Sequence, residues 1–420
     1  MTDIIRERLA VFDRVDVPDL WTEVQQREPR EPWERGPSRV RRVVVAVFAL
    51  GIAAASFLFM VHEFRSIRRE RPAATSVTNG LLAFRADNTG WLVDPDGTDL
   101  RPIPHPENVA TITPLEWSPD GTRLVFYGYL KGEAGSGGAD YSIFVSEADG
   151  SHLRSLTSSL GGAEGEESQG NPRWSPDGSR IVFENDGSDR TLRGLFVMKA
   201  DGTEMLKVAD GGYPTWSPDG SRLAFIAVGP GGRTDIYSVA VDGTELINLT
   251  SSPHRYEGLP AWSPDGSKIA FVSSFDGESQ VFVMEADGSE PRVVSTVENE
   301  GVGGYSPSWS PDGNTIAFEV YHNQDWDIFL VDADGAGQTQ LTDGLGDEHR
   351  PVWSPDGLKV AFMQSPFGSD HFGPTDGTFD VYTIDRDGSG EVRLTQDIGG
   401  SAGSLTWGSI QTNANGSAIT

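Results

Sequence analysis

The five-residue sequence Trp-Ser-Pro-Asp-Gly occurs six times in this chain of 420 residues. Successive tryptophans lie 42 to 57 residues apart, and the copies begin at Trp117, Trp174, Trp216, Trp262, Trp309 and Trp353. Proline and aspartate suit the two central positions of a type I turn, and glycine suits the position after them. A period of about 40–45 residues with one such turn and several short strands is typical of β-propeller blades. The repeat therefore predicts an all-β propeller.

The residues around each motif predict the rest of a four-stranded blade. An apolar strand ending in phenylalanine follows the turn, as at 123–126 and 268–271. A third strand carries an aromatic residue, as at 143–144, and a second turn then ends in Asp-Gly. A fourth strand closes the unit, for example at 246–250. The tryptophan is large enough to pack between neighbouring sheets.

A seventh blade is predicted from the two ends of the repeat region. An additional Asp-Gly turn ends at Gly97, but no tryptophan-containing strand precedes it. The chain carries a matching tryptophan, Trp407, near its other end. A strand from the C-terminal region would complete this blade and close the ring without leaving a free edge. We therefore predict a seven-bladed β-propeller over residues 81–410 and a disordered tail over 411–420.

Repeats of the form Pro-x-Trp-Ser-Pro-Asp-Gly-x-x-Ile-Ala-Phe, clearest at 260–271 and 351–362, resemble the TolB-type, WD-repeat-like β-propeller family. The resemblance covers residues 81–410. It implies a bacterial cell-envelope protein whose propeller serves as a protein-binding platform. TolB itself has a small α/β domain and six blades, so the Tol–Pal role is not carried over. A shared fold does not by itself give a function.

Residues 43–61 form an uncharged apolar stretch of 19 residues. As a helix it would be about 28 Å long, close to the thickness of a bilayer core. Its length and its distance from the N-terminus favour an uncleaved transmembrane helix over a signal peptide. Arginines are more numerous before it than after it, which favours a cytoplasmic N-terminus. The predicted protein is a single-pass membrane protein with an extracytoplasmic propeller, either periplasmic or at the cell surface.

Residues 1–42 are predicted to be a cytoplasmic tail, and residues 62–80 a linker to the propeller. Apolar residues recur at helical spacing over 2–27, and a proline-rich stretch follows. A segment this short cannot bury a core of its own. It is either a docking segment for a cytoplasmic partner or a loosely ordered retention signal. A third hypothesis is that it binds a transcription regulator while the propeller senses a ligand.

Composition excludes several classes of function. Residues 81–420 carry 20 basic and 51 acidic residues, so this region should repel nucleic acid. The chain has no cysteine, which excludes disulfides, cysteine zinc sites and cysteine nucleophiles. Residues 399–403 match the Gly-x-Ser-x-Gly pattern of hydrolases, but no histidine follows them. We therefore expect a protein that is not an enzyme and has no cofactor.

The candidate binding site lies among the loops of one propeller face. Connections between second and third strands, and between successive blades, vary in length, and irregular loops on a rigid scaffold often carry binding sites. Residues before the blade-opening tryptophans are predicted to line the channel mouth on this face: Arg173, Tyr213, Tyr256, Glu257, Tyr305, His349 and Arg350. Tyrosine and arginine are frequent interface anchors. The expected partner is an envelope protein or glycan, although these residues could instead only cap strand ends.

The alternative function is a metal-dependent lyase or hydrolase that acts on an envelope polymer. Four histidines fall in the variable loops of the last blades: His254, His322, His349 and His371. Their spacing is not that of a known ligand motif. Convergence of their nitrogen atoms within about 5 Å of one point would favour this alternative.

Overall fold

The chain is described from a computed structural model. It divides into two compact units, Met1–Pro72 and Ala73–Thr420. The described residues all belong to the second unit: 76–86, 89–104, 109–130, 140–157, 169–186, 193–296, 302–322, 325–344, 346–366, 378–396, 398–399 and 402–412. The predicted tail and transmembrane helix lie outside them. Among these residues, no helix is long and apolar enough to cross a membrane.

The described residues form 29 strands in seven sheets, which we number as blades in chain order. Blade 1 holds β1 (Ser76–Ala86), β2 (Thr89–Val93) and β3 (Arg101–Pro102). Blade 2 holds β4 (Val109–Trp117), β5 (Arg123–Leu130), β6 (Asp140–Glu147) and β7 (Arg154–Ser155). Blade 3 holds β8 (Gln169–Trp174), β9 (Arg180–Asn185), β10 (Gly194–Lys199) and β11 (Leu206–Ala209). Blade 4 holds β12 (Gly212–Trp216), β13 (Arg222–Val228), β14 (Thr234–Ala240) and β15 (Ile247–Asn248).

The remaining strands continue the same order. Blade 5 holds β16 (Tyr256–Trp262), β17 (Lys268–Phe275), β18 (Glu278–Glu285) and β19 (Arg292–Val293). Blade 6 holds β20 (Val302–Trp309), β21 (Thr315–His322), β22 (Asp325–Asp332) and β23 (Thr339–Gln340). Blade 7 holds β24 (Gly346–Trp353), β25 (Lys359–Pro366), β26 (Thr378–Asp385), β27 (Val392–Arg393) and β28 (Ile398–Gly399), which pairs with β26. The last strand, β29 (Ala402–Thr412), returns to blade 1. All the pairings are antiparallel.

Strand β29 closes the ring, as predicted, because it pairs with β1 and supplies the innermost strand of blade 1. Leu82 pairs with Trp407 in the middle of the two strands, and Ser76 pairs with Thr412 at their ends. The propeller is therefore longer at both ends than the predicted range 81–410. Backbone pairing between β1 and β29 continues beyond residues 81 and 410.

The Ser-Pro-Asp-Gly segment forms a tight turn in all six copies. In blade 3, the N–H of Gly178 donates to the carbonyl oxygen of Ser175 over 2.8 Å. The Ser175 hydroxyl donates to Asp177 over 2.6 Å and accepts from the N–H of Arg180 over 2.9 Å. This network satisfies the turn's polar groups locally. It explains why serine and aspartate recur with proline and glycine.

Aromatic residues fill the space between strands and between blades, as the repeat predicts. The phenylalanines of the second strands are almost fully buried, and those of blades 2 and 3 stack on the aromatic residue of the third strand, with Phe126 and Phe144 centroids 5.6 Å apart. The motif tryptophans tie adjacent blades together. Trp353 Nε1 donates to the carbonyl oxygen of Ser308 in blade 6 over 3.0 Å. Trp309 makes the equivalent bond to Ala261 in blade 5.

Candidate functional site: the central cavity

A central cavity of about 760 Å³ lies on the ring axis. All seven blades contribute to its wall, mainly through the residues just before the motif tryptophan in each innermost strand. The cavity has the size of a pocket for a small ligand or for a segment of a larger one. We call it the central cavity.

A backbone distortion in the innermost strands shapes the wall. The residue three positions before the motif tryptophan has a positive φ of 47° to 57° in five blades: Asn171, Tyr213, Leu259, Ser306 and Arg350. A register shift marks a β-bulge at each of these positions. Bulges of this kind redirect side chains and often adjoin functional sites. The five bulge residues all line the central cavity.

Two buried glutamates stabilise the bulges of the neighbouring blades. Glu319 of β21 accepts the backbone N–H of Arg350 over 2.8 Å. Glu184 holds the same place in blade 3, where it accepts the backbone N–H of Tyr213 and, over 2.7 Å, the side-chain amide of Asn171. Each carboxylate satisfies a backbone donor that the bulge removes from the ladder.

The pKa values of these two carboxyl groups move in opposite directions. Burial raises the pKa of Glu184, and its hydrogen bonds from Asn171 and Tyr213 only partly oppose this shift. Burial would also raise the pKa of Glu319, but hydrogen bonds and charge from His349, with the Arg350 N–H, hold it below its usual value. Glu319 is therefore ionised at neutral pH and faces a cationic side of the cavity.

Replacing Glu319 by alanine is expected to lower the free energy of unfolding by about 3 kcal/mol, because the Arg350 N–H loses its acceptor in a buried position. Glu319→Gln should cost less than half as much, since the amide oxygen can still accept that bond. The midpoints of urea unfolding at pH 7 compare the two variants. Equal losses would show that the charge, rather than the acceptor, stabilises the bulge.

The guanidinium of Arg350 is available for a ligand. It contacts solvent in the cavity, and it has no hydrogen-bond partner among the residues that the structure describes. The cavity walls partly desolvate this exposed side chain and so lower its pKa, whereas the Glu319 charge opposes that shift. An arginine stays protonated in proteins, so this group remains a cation with its donors free. Tyr213 lies on the opposite side of the ring and also lines the cavity.

A glutamate of blade 2, Glu116, lies next to an arginine of blade 3, Arg173. Glu116 accepts the backbone N–H of Trp174 over 3.1 Å, and its carboxylate lies 3.8 Å from the Arg173 guanidinium. Burial raises the pKa of Glu116 to about 7, and the charge of Arg173 opposes this shift. The charge of this cavity wall therefore changes near neutral pH.

The structure brings four of the seven predicted binding residues together. Arg173, Tyr213, His349 and Arg350 line the central cavity. The other three lie outside the cavity.

Tyr256, Glu257 and Tyr305 do not line the cavity, although the sequence analysis placed them at its mouth. Tyr256 is on the surface, where the Arg233 guanidinium lies 4.3 Å from its ring centre. Glu257 is buried, which raises its pKa. Tyr305 of blade 6 accepts a hydrogen bond from Ser279 of blade 5 and packs edge-on against Trp326. The first two precede the bulge by two or more residues, so the bulge does not turn them inward.

The predicted histidine cluster was the basis of the metal-dependent alternative. His322 lies 3.0 Å from Asp327, and His349 lies 3.4 Å from Glu319. His254 is exposed, and His371 lies outside the described residues. Within the described part of the chain, no group of three or more histidine, aspartate or glutamate residues is arranged to hold a metal ion.

A buried carboxylate cluster lies between blades 6 and 7, away from the central cavity. Asp327 and Glu348 are buried, and Glu348 accepts hydrogen bonds from Gln364 over 2.7 Å and from Thr342 over 3.4 Å. Burial raises the pKa of Glu348 to about 9 and also raises that of Asp327. Burial and the neighbouring acids raise the pKa of Asp325 to about 6. These carboxyl groups are close enough to share protons.

Four further residues line the cavity that are not predicted from the sequence: Glu116, Asn171, Ser306 and Glu319. A signal for the bulge is present, because proline follows the bulge residue in the five blades where φ is positive. The capping glutamates also stand out, since they follow the core phenylalanine in Phe183-Glu184 and Phe318-Glu319. In blades 4 and 5 that position is apolar.

Known proteins resemble this chain over the propeller. Residues 137–305 match the family model of the TolB beta propeller domain. No curated protein matches the chain. A putative TolB from Agrobacterium tumefaciens is 22% identical, with 62% of this chain and 94% of that one covered and a TM-score of 0.47.

Two further solved structures are also similar to the chain. An oligogalacturonate lyase from Vibrio parahaemolyticus is 15% identical, with 77% of this chain and 87% of that one covered and a TM-score of 0.53. The β-propeller domain of the Trilobed protease from Pyrococcus furiosus is 13% identical, with 76% and 96% covered and a TM-score of 0.53. At these identities the likeness concerns the fold alone. The matched family model and the six Trp-Ser-Pro-Asp-Gly turns lead to one conclusion: this protein carries a β-propeller of the TolB type.

Proposed function

We propose that the protein is a membrane-anchored binding platform of the bacterial cell envelope, with its propeller outside the cytoplasm. In this proposal the central cavity captures a protein segment or a glycan that bears an anionic group. The observation that carries it is the Arg350 guanidinium, which is held in the cavity with its hydrogen-bond donors free. A planar guanidinium recognises a carboxylate through two parallel hydrogen bonds.

The rest of the cavity wall supports an oriented ligand. Glu319 and Glu184 hold the bulges that carry Arg350 and Tyr213, so these side chains are positioned before a ligand arrives. A preorganised site loses less conformational entropy on binding. Tyr213 supplies an exposed aromatic surface opposite the arginine. The proposed roles are an ionic anchor for Arg350 and an apolar contact for Tyr213.

Site-specific photocrosslinking in living cells tests the proposal. Tyr213→p-benzoylphenylalanine puts a reactive group in the cavity, and the same change at Tyr256 is a matched control. The two tyrosines are about equally exposed, 52% and 53%, but only Tyr213 lines the cavity. We expect a discrete crosslinked product from position 213 and not from position 256. Mass spectrometry then identifies it as peptide or glycan.

The role of Arg350 is tested in the protein that carries p-benzoylphenylalanine at position 213. Arg350→Gln should reduce the yield of the crosslink at least tenfold, because it removes the ionic anchor. Arg255→Gln should leave the yield unchanged, since Arg255 packs over Phe275 and Phe282 outside the cavity. Equal crosslinking from positions 213 and 256, or no effect of Arg350→Gln, would refute the cavity as the binding site. No crosslink, together with a stoichiometric divalent metal in the purified protein, would favour the lyase or hydrolase alternative.

A further inference from the structure

A second cavity, of about 420 Å³, lies on the opposite face of the propeller, between blades 4 and 5. Its walls are the short turns of the two blades and the outer strand of blade 4. Ile247, Leu249 and the ring of Trp262 form its apolar surface, and Asp219, Asp265 and Asp287 stand at its rim. We call it the Trp262 groove.

Trp262 differs from the other motif tryptophans. The tryptophans of the other five motif copies and Trp407 are all buried, whereas Trp262 is only partly buried. Its indole Nε1, like those of Trp117 and Trp174, has no hydrogen-bond partner within the described residues. In blade 4, by contrast, Trp216 Nε1 donates to the carbonyl oxygen of Arg173 over 3.1 Å. The groove therefore exposes a tryptophan face that most other blades cover.

Two other blades cover their tryptophan with an arginine of this chain. The Arg123 guanidinium of blade 2 lies 4.6 Å from the ring centre of Trp174 in blade 3. The Arg386 guanidinium of blade 7 lies 5.4 Å from the ring centre of Trp353 and donates to Asp312 of blade 6 over 3.1 Å. Guanidinium groups bind favourably over indole rings. The fold thus contains two internal examples of an arginine seated between adjacent blades.

At the Trp262 groove, neither of the two equivalent positions places a guanidinium over the tryptophan. Arg222 corresponds to Arg123 in the repeat, but its guanidinium donates to Ser238 and Glu245 of its own blade, over 2.7 to 2.9 Å. Ala286 corresponds to Arg386 and has no side chain that could reach the ring. At blades 6 and 7 a tryptophan, an aspartate and a guanidinium lie together. The Trp262 groove has the tryptophan and the aspartates, but no guanidinium lies over its ring.

The rim has the charge that such a ligand requires. Hydrogen bonds from neighbouring serines lower the pKa of Asp219, Asp265 and Asp287, so all three stay ionised at neutral pH. Arg222, the cation at the groove, is already paired with Glu245. The groove therefore combines a partly exposed indole with three ionised carboxylates.

We propose that the Trp262 groove binds an arginine side chain from a basic segment of a partner protein. The guanidinium would lie over Trp262 and donate to Asp219, as Arg386 does over Trp353 and to Asp312. This surface is separate from the central cavity and faces the other way. The protein would therefore hold two partners at once.

Fluorine NMR of the full chain in detergent, labelled with 5-fluorotryptophan, tests the proposal. The probe is N-acetyl-argininamide, and the control is its neutral citrulline analogue. We expect the resonance that Trp262→Phe removes to shift saturably with the probe, with at least fivefold weaker binding of the citrulline compound. Equal shifts from both compounds, or shifts spread over many tryptophans, would overturn the proposal.

Two sets of variants distinguish a loss of the binding site from a loss of folding. Ala286→Arg should place a guanidinium over Trp262 from within the chain, move its resonance without the probe and weaken probe binding at least tenfold. The paired change Asp265→Asn with Asp287→Asn should weaken binding at least threefold. Asp334→Asn, in the equivalent turn of blade 6, should leave it unchanged. If the Ala286→Arg protein bound the probe as tightly as the wild type, the assigned position of the guanidinium over Trp262 would be wrong.

The chain's own linker is the competing occupant, because Arg65, Arg68, Arg69 and Arg71 precede the propeller. Replacing these four arginines by glutamine should leave the Trp262 resonance unchanged. A shift in the absence of probe would show that the linker fills the groove, and the partner assignment would be wrong.

Discussion

A chain that ends at Ser401 is expected to lose cooperative folding of the propeller. Such a chain lacks β29, the innermost strand of blade 1, which pairs with β1 from Ser76 to Ala86. It also lacks Trp407, which is buried and donates its Nε1 hydrogen to the carbonyl oxygen of Gly80 over 3.1 Å. The loss would open the ring and expose an unpaired strand edge, which promotes aggregation.

Thermal unfolding with simultaneous light scattering measures this effect. A chain that ends at Thr412 is the matched control, since it keeps β29, and its melting temperature should equal that of the full chain. Trp407→Ala keeps the strand but removes the buried ring, so it should cost about 3–5 kcal/mol and leave a cooperative transition. A chain ending at Ser401 that melts within a few degrees of the control would show that closure contributes little.

Replacing Glu348 by glutamine is expected to raise the free energy of unfolding by about 2 kcal/mol at pH 8. Glu348 is fully buried next to other acids, and burial raises its pKa to about 9. The unfolded chain ionises this group near pH 4.5, whereas the folded protein must keep it protonated. Glutamine resembles the protonated acid and needs no proton. It can still accept the bond from Gln364.

The direction of the pH dependence follows from the raised pKa. The contribution of Glu348 to stability is complete below about pH 4.5 and is lost as the pH rises towards 9. Asp325, whose pKa is raised to about 6, adds a smaller loss between about pH 4 and 6. The wild-type melting temperature should therefore fall from pH 5 to pH 9, and the gain from Glu348→Gln should vanish at pH 5.

An exposed glutamate is the control for this measurement. Glu278→Gln should change the melting temperature little at any pH, because Glu278 lies in solvent at the start of β18. A Glu348→Gln protein less stable than the wild type at pH 8 would mean that the buried carboxyl is ionised. The cluster would then stabilise the fold through its charge.

The repeat made the fold predictable because its information is local. Each turn is held by hydrogen bonds among neighbours, such as those of Ser175 and Asp177, so the motif specifies a turn wherever it occurs. The count of seven blades and the closing strand followed from one unpaired Asp-Gly turn and one unpaired tryptophan, Trp407, and the structure confirms both. The transmembrane helix over 43–61 stays a prediction.

The sequence by itself thus determined the blade, because a blade is built from contacts within about 45 residues. It also determined the number of blades and the closure of the ring, because one Asp-Gly turn and one tryptophan, Trp407, are left over at the two ends of the repeat region. Only the tertiary structure decided which side chains meet. Tyr213 and Tyr256 both precede a motif tryptophan, yet only Tyr213 occupies the bulge position three residues before it and lines the central cavity. Likewise Trp262 reads as a core residue, as its five counterparts do. Its ring stays partly exposed because Arg222 pairs with Glu245 of its own blade, and the repeat pattern alone does not specify which partner this arginine takes.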